Sequence, residues 1–152
     1  MAALKIVTGE EKKILRTKTK PVPAVTKEVQ KMLKDMEAAT IKADGLGLAA
    51  PQVGLDMRMC IARFNGRLTP MVNPQITWKS KITETAEEGC LSLPGVWIPV
   101  SRAVEIVVRY QTARGDEKEL KLSDMDARVV QHETDHLDGI LIVDYVSAGA
   151  VL

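Results

Sequence analysis

The chain reads Gln-His-Glu-Thr-Asp-His-Leu-Asp-Gly from Gln131 to Gly139, and this stretch contains both of its histidines. His132 and His136 are four residues apart, so a helix places them on one face, one turn apart. This His-Glu-x-x-His spacing can offer two neutral imidazoles to a divalent metal, with Glu133 beside the water that the metal activates. An exposed amphipathic helix with two incidental histidines is the simpler alternative. It is disfavoured because the rest of the chain contains no histidine.

Composition limits the class of protein. The 152 residues fit one domain, predicted to span residues 1–152, and the hydrophobic content of 45% is ordinary for a soluble globular chain. The net charge of +1 gives no electrostatic signal for nucleic acid or for an anionic membrane. The N-terminus lacks a signal-peptide pattern, and no segment approaches the roughly 18 apolar residues of a membrane span. We therefore expect a cytoplasmic protein of a bacterium or a bacterial host cell, with an organelle as the alternative.

One amphipathic helix is predicted near the N-terminus. Thr26 can cap a helix that continues to Ala43, where Asp44-Gly45 ends it. Apolar residues recur on one face of this helix at Val29, Leu33, Met36 and either Thr40 or Ile41. We expect this face to pack on a sheet.

Antiparallel strands follow this helix. Asn65-Gly66 predicts a two-residue hairpin turn between strands at 57–64 and 67–72. Pro70 places the second strand towards a sheet edge, because proline cannot donate to a strand ladder. We expect a turn at Asn73-Pro74, and after it an extended stretch that ends near Thr85.

The C-terminal half predicts further strands around the histidine helix. Residues 101–110 alternate as one strand, and residues 118–122 pair back after a turn at Gly115-Asp116. Ser123 caps the histidine helix, Gly139 ends it, and Ile140 to Val143 form a final strand. The predicted fold class is therefore α+β, with antiparallel β-strands packed around a central metal-binding helix and one N-terminal helix.

A catalytic metal needs a third protein ligand while one position stays open to water. Downstream of His136 only Asp138 and Asp144 are available, so Cys90 upstream is the best candidate. One thiolate, two imidazoles and a water form a catalytic site type that delivers a hydroxide-like nucleophile near neutral pH.

The two cysteines have different surroundings. Cys60 lies among apolar residues of a predicted strand and is interpreted as a small core residue. Cys90 lies between acidic residues and a predicted Pro94-Gly95 turn, where it can be a metal ligand or an inert buried thiol. A disulfide between the two is the alternative, disfavoured in a reducing cytosol.

The stretch Gly45 to Gln52, Gly-Leu-Gly-Leu-Ala-Ala-Pro-Gln, has little side-chain bulk. Backbone or ligand can therefore approach it closely. Taken alone, the stretch is better explained as a plain helix exit with tight packing. A phosphate-binding loop is disfavoured because the stretch follows a helix and lacks lysine.

Three motifs together resemble the peptide deformylase family. They stand here as Gly45 to Gln52, Glu88 to Ser92 (Glu-Gly-Cys-Leu-Ser) and Gln131 to His136, in the family's order. The resemblance covers nearly the whole chain and implies a metal-dependent hydrolase. That family removes the formyl group from N-formyl-methionyl peptides of nascent proteins and releases formate.

The resemblance implies the metal site. Cys90, His132 and His136 would hold one divalent ion, natively Fe(II) in this family. Thiolate and imidazole ligands also suit Zn, Ni or Co, which a purified sample can contain.

The resemblance also implies catalytic roles. Glu133 would take a proton from the attacking water and pass it to the departing amine. The Gln52 side-chain amide and the Leu91 backbone N–H would donate to the carbonyl oxygen as it gains negative charge.

The predicted substrate contacts surround these groups. An extended peptide could pair its backbone near Leu46 and Gly47 in the manner of an added strand. Met125 and Val129 could line an apolar pocket for the methionine side chain, and Gly89 completes the set.

The chain departs from many bacterial members at its C-terminus. Those members carry a further helix associated with ribosome binding, whereas only eight residues follow Asp144 here. A short tail without that helix resembles phage-encoded members, so ribosome docking through such a helix is not expected.

Two other functions share some of these residues. A metal-dependent endopeptidase would use the same helix and water chemistry but cleave internal peptide bonds. A non-enzymatic metal-binding module would need the ligands without Gln52 or Glu133, and the presence of both disfavours it.

Overall fold

A computed structural model describes residues 4–146 and confirms the predicted α+β class. Within these residues, two α-helices and seven strands follow one another. They are α1 (Lys27–Lys42), β1 (Gly47–Ala49), β2 (Met59–Phe64), β3 (Arg67–Lys79), β4 (Thr83–Cys90), β5 (Leu93–Ala103), β6 (Glu105–Gln111), β7 (Glu117–Ser123) and α2 (Asp124–Leu137). One antiparallel sheet has the order β1-β2-β3-β6-β7, and β4 and β5 form a separate hairpin.

The five-stranded sheet lies between the two helices. Successive residues of β2 face opposite sides, as the period of a strand requires. Met59 and Ile61 belong to the cluster built on α1, whereas Cys60 and Ala62 belong to the cluster built on α2. Cys60 is fully buried and unbonded, which agrees with a core residue rather than a disulfide partner.

The N-terminal helix α1 and its N-cap at Thr26 are present as predicted. The Thr26 hydroxyl accepts a hydrogen bond from the Val29 N–H at 3.2 Å. Thr40 is buried and Ile41 is 62% exposed, so of the two alternatives it is Thr40 that belongs to the buried face of the helix. Asp44, at φ 54°, takes the left-handed conformation that ends the helix.

The predicted hairpin is present between β2 and β3. Asn65 and Gly66 both have positive φ, 51° and 73°, as a type I′ turn requires. The prediction that Pro70 lies towards a sheet edge is right for the proline itself but wrong for the strand as a whole. β3 is an interior strand, but its pairing with β6 starts at Val72, beyond the proline.

Two predicted turns are wrong because pairing between strands overrides the local signal. Asn73-Pro74 lies inside β3 as an irregularity, where the Asn73 side chain is held by both backbone groups of Val22. Pro94-Gly95 lies inside β5, and the turn of the hairpin is at Leu91-Ser92, because Cys90 pairs with Leu93.

Three strand predictions are also corrected. Residues 101–110 are not one strand, since Val104 separates β5 from β6 in different sheets. The extended stretch predicted after Asn73-Pro74 is not continuous, because its first part belongs to β3, which ends at Lys79, and β4 then starts at Thr83 and passes Thr85 to end at Cys90. Instead of a final strand, a 3₁₀ turn spans Ile142–Tyr145, where the Asp144 carboxylate accepts from the Leu141 N–H at 2.9 Å.

The histidine helix α2 begins and ends where predicted, but its N-cap lacks the predicted side-chain hydrogen bond. Ser123 occupies the N-cap position without a side-chain hydrogen bond, so it does not cap as predicted. Gly139, at φ 73°, follows the last turn as expected. None of the helices within residues 4–146 is both long and apolar enough to cross a membrane. The tail beyond Val146 lies outside the described residues.

The N-terminal segment, residues 4–20, joins three distant parts of the fold through its backbone. Val7 N–H donates to the Gln52 carbonyl at 2.7 Å, and Gly9 N–H donates to the Ser92 carbonyl at 2.9 Å. Thr19 N–H donates to the carbonyl of Leu137, the last residue of α2, at 2.8 Å.

Candidate active site

The fold brings the three predicted metal ligands together. Cys90 Sγ is 3.4 Å from His136 Nε2, which is 3.2 Å from His132 Nε2. All ligand atoms of the three residues lie within 4.8 Å of one another. Bond lengths of about 2.0–2.1 Å to nitrogen and 2.3 Å to sulfur separate the ligands of a tetrahedral ion by about 3.4–3.6 Å. The observed separations therefore fit one ion.

Two different elements supply these ligands. His132 and His136 project from adjacent turns of α2, and Cys90 ends β4 at the tip of the β4–β5 hairpin. The Cys–His distance therefore depends on how the hairpin is seated against the helix.

The protonation preferences of the two histidines differ. Burial, with the neighbouring His132, lowers the pKa of His136 well below its usual value and favours the neutral ring that a metal needs. Burial would also lower the pKa of His132, but hydrogen bonds to Cys90 and to the Glu88 carboxylate outweigh it and raise the pKa to about 10.

Glu88 holds the outer nitrogen of His132. Its Oε1 lies 2.8 Å from His132 Nδ1, so Nε2 is directed towards the other ligands. Burial would raise the pKa of the Glu88 carboxyl, but hydrogen bonds from Arg102 and His132 hold it well below its usual range.

Arg102 anchors this carboxylate from β5. Its guanidinium donates to both Glu88 oxygens at 2.9 Å and also to Asp135, which lies on α2. The Tyr145 hydroxyl donates a hydrogen bond to the Asp135 carboxylate. The guanidinium carbon of Arg102 lies over the Tyr145 ring, 4.9 Å from its centroid. The hairpin and the helix therefore share one polar network, in which Glu88 and Arg102 are buried.

Glu133 lies on the side of the site that is formed by β1, next to Gly47. It is 3% exposed, and burial raises the pKa of its carboxyl to about 7 although His132 lowers it. A Cβ atom on Gly47 would lie 2.5 Å from Glu133 Oε2, so the carboxylate occupies the space that the missing side chain leaves. Its other oxygen is buried and has no hydrogen-bond partner among the described residues.

Gln52 is held close to the ligand cluster. Its Oε1 accepts from the Ala49 N–H at 2.9 Å, which fixes the direction of the amide. Its Nε2 then donates to Ser92 Oγ at 3.1 Å and lies 3.7 Å from Cys90 Sγ.

One cavity of about 400 Å³ connects these groups. It is lined by every predicted catalytic and substrate-binding residue, namely Gln52, Leu91, Glu133, Leu46, Gly47, Gly89, Met125 and Val129. Cys90 and His132 also line it, whereas His136 lies behind them. Apolar side chains at its mouth remain open to solvent, including Trp97 at 64% and Met125 at 58% exposure.

Several polar residues of the site were not predicted from the sequence. Glu88 and Ser92 stand in the sequence only as parts of a motif, and Arg102 gives no local signal of a role. One pattern was available: Arg128 precedes His132 by one helical turn, on the face that carries both histidines.

Known proteins with similar sequences identify the family of this chain. The family model for polypeptide deformylase matches residues 3–150. The chain belongs to this family. The peptide deformylase of Pseudothermotoga lettingae is 43% identical over 133 residues, which cover 88% of this chain and 77% of that protein. The predicted family and enzyme class, a peptide deformylase, are thereby confirmed.

Solved structures agree with this assignment. The crystal structure of peptide deformylase from Thermotoga maritima matches with a TM-score of 0.93 and 37% identity, covering 97% of this chain and all of that one (100%). The class I type b peptide deformylase from Acinetobacter baumannii, bound to Met-Ala-Ser, matches with a TM-score of 0.89 and 34% identity over 95% of this chain and 99% of that one. Family membership implies one divalent metal ion, and the Cys–His–His cluster is a site that fits it.

Proposed function

We propose that this enzyme removes the formyl group from N-formyl-methionyl peptides of nascent proteins and releases formate. The main support is that the Cys–His–His cluster, Glu133 and Gln52 surround one cavity in a deformylase fold. The related Acinetobacter enzyme binds Met-Ala-Ser, a peptide that begins with methionine. Residues 1–152 would form one catalytic domain.

Cys90, His132 and His136 would hold the metal, since their atoms have the separations of ligands around one ion. Bound there, a divalent ion supplies Lewis-acid activation of water and of the formyl oxygen. Fe(II) is the proposed native metal, and Zn, Ni or Co can replace it because thiolate and imidazole suit all of them.

Glu133 would move the proton. Burial brings its pKa to about 7, so near neutral pH the carboxylate can accept a proton from the attacking water and then release it to the departing amine. Gly47 leaves the room in which this carboxylate sits, so the proposed base depends on a glycine in the facing strand.

Gln52 and Leu91 would stabilise the negative charge that develops on the carbonyl oxygen. The Gln52 amide is oriented before substrate arrives, because its oxygen is bound to the Ala49 N–H and its nitrogen faces the site. The Leu91 backbone N–H is the second proposed donor, from the turn of the hairpin. Donors fixed in advance are worth more than mobile ones, since they need no reorganisation during the reaction.

The peptide would lie along the cavity between β1 and the hairpin. Leu46, Gly47 and Gly89 would face its backbone, as an extended strand added at a sheet edge. Met125 and Val129, on α2 beside the ligands, would contact the methionine side chain.

The remaining assignments follow from the family. We propose a cytoplasmic location in a bacterium or bacterial host, with an organelle as the alternative, and no nucleic-acid or membrane partner. The ribosome, where nascent chains emerge, is a further proposed partner.

The decisive experiment is formate release from a formyl-Met peptide under anaerobic conditions, with and without a chelator. We expect release that the chelator abolishes and that Fe(II) restores. An acetyl-Met peptide should react far more slowly; comparable rates on both would contradict the proposal. Cleavage of an internal peptide bond without formate release would identify a metal-dependent endopeptidase instead.

A further inference from the structure

Arg128 lies on the ligand-bearing face of α2 without touching a ligand in the described contacts. It precedes His132 by four residues and His136 by eight, so the three side chains project in the same general direction. Its side chain is only 11% exposed, which is unusual for arginine and calls for several partners.

Those partners lie on both strands of the β4–β5 hairpin. Arg128 Nη1 donates to Glu88 Oε2 at 2.8 Å and to the Val100 carbonyl at 2.9 Å. Nη2 donates to the Glu84 carbonyl at 2.6 Å. Glu84 and Glu88 belong to β4 and Val100 to β5, so one guanidinium fastens both strands to the helix.

Charge neutralisation does not explain this arrangement. Arg102 already gives the Glu88 carboxylate two hydrogen bonds and an ion pair. Two of the acceptors of Arg128 are uncharged backbone carbonyls, which need a donor at a defined place. The planar fork of arginine can meet three such acceptors at once, whereas a lysine ammonium is a compact point charge on a flexible stem.

The position of the hairpin sets the position of Cys90. Gln131 binds both backbone groups of Ala103, where β5 ends, and Arg102 binds Asp135. Arg128 adds contacts at Val100 and along β4, the strand that ends at Cys90.

We propose that Arg128 is a positioning residue that seats the hairpin carrying Cys90 against the helix carrying both histidines, and so retains the metal. The inference rests on the proposed metal ligands but not on the reaction. The stem of Arg128 also lines the cavity beside Met125 and Val129, so only its guanidinium is assigned the positioning role.

The test compares three variants loaded with Co(II). Arg128→Met keeps the stem and removes the guanidinium, and Arg128→Lys keeps the charge but not the fork. Arg109→Met is the matched control, because Arg109 is 56% exposed on β6 and pairs with Glu117 on the neighbouring strand. The measurements are the thiolate-to-cobalt absorption band and the rate of cobalt loss to a chromophoric chelator.

We expect both Arg128 variants to lose cobalt about 10–100-fold faster than the parent, with a shifted thiolate band. Arg109→Met, the control, should match the parent in both the rate of cobalt loss and the position of the thiolate band. For formyl-Met peptides, kcat should fall while KM stays near the parental value, because the lining stem is kept in Arg128→Met.

Parental cobalt retention in both Arg128 variants would overturn the inference. So would full rescue by Arg128→Lys, since charge alone would then suffice. If Arg128→Met does not fold, as circular dichroism would show, Arg128→Lys decides. Cobalt retention is measured without substrate, so a parent that fails to release formate would contradict the proposed function and leave this test intact.

Discussion

Gly47→Ala tests the proposed base through the space it occupies. The added Cβ would lie 2.5 Å from Glu133 Oε2 and 2.8 Å from the Ile61 carbonyl oxygen, against 3.4 Å for an ordinary contact. Relief of the first contact requires the carboxylate to move by about 0.9 Å, and relief of the second requires a shift in the pairing of β1 with β2, because the Ile61 oxygen is backbone. A misplacement of about 1 Å can cost roughly 10²-fold in rate, and we expect a loss of that order in kcat.

The assay for Gly47→Ala is formate release from a formyl-Met peptide, with metal content measured on the same sample. Metal should be retained, because the three atoms nearest to the added Cβ belong to Glu133 and Ile61 and not to a proposed metal ligand. Overpacking should also lower stability by about 1–3 kcal/mol, so rates are compared well below the measured Tm.

Two controls separate the carboxylate from general damage. Gly45→Ala should cost less, because its Cβ would meet only the flexible end of the Leu91 side chain, at 2.9 Å. The double variant Gly47→Ala with Glu133→Gln should lose little more turnover than Glu133→Gln alone, because the effects of changes that act through one group do not add. Parental turnover in a folded, metal-loaded Gly47→Ala protein would refute the reasoning.

Three further outcomes are expected. Cys90→Ala should lose most of its metal by elemental analysis, whereas Cys60→Ala should keep it; a stoichiometric metal in folded Cys90→Ala would remove Cys90 from the ligand set. Glu133→Gln should keep the metal and lose about 10²–10⁴-fold in turnover, the usual range for general acid–base catalysis; loss of metal instead would make Glu133 a support of the site. Truncation after Val146 should leave deformylation intact, because every proposed site residue precedes Gly139; an inactive but folded truncation would show that the tail completes the site.

The sequence was most informative where one element carries the chemistry. The spacing of His132 and His136 on α2, the cap at Thr26 and the Asn65-Gly66 turn are local features, and each is present in the fold. Cys90 was placed with the histidines by chemical need and by family resemblance rather than by any local pattern.

Strand pairing was less accessible, because it depends on residues far apart in the chain. Alternation through Val104 reads as one strand, yet the chain changes sheets there. Pro94-Gly95 has the composition of a turn, but the register of β4 with β5 places the turn earlier. Arg102 and Arg128 look like surface charges until the hairpin folds onto α2 and buries them.

The backbone bonds of the N-terminal segment bear on the order in which the site can form. Val7, Gly9 and Thr19 are made early in synthesis, but their partners Gln52, Ser92 and Leu137 are spread over the rest of the chain. Such non-local contacts slow folding, because loops must close before the contacts can form. The backbone at Gln52, the tip of the hairpin and the end of the histidine helix are all bound to the same N-terminal segment, so the amides in these bonds should exchange with solvent as one cooperative unit. The site would then be complete only after Leu137 has left the ribosome, although Val7, Gly9 and Thr19 leave it much earlier.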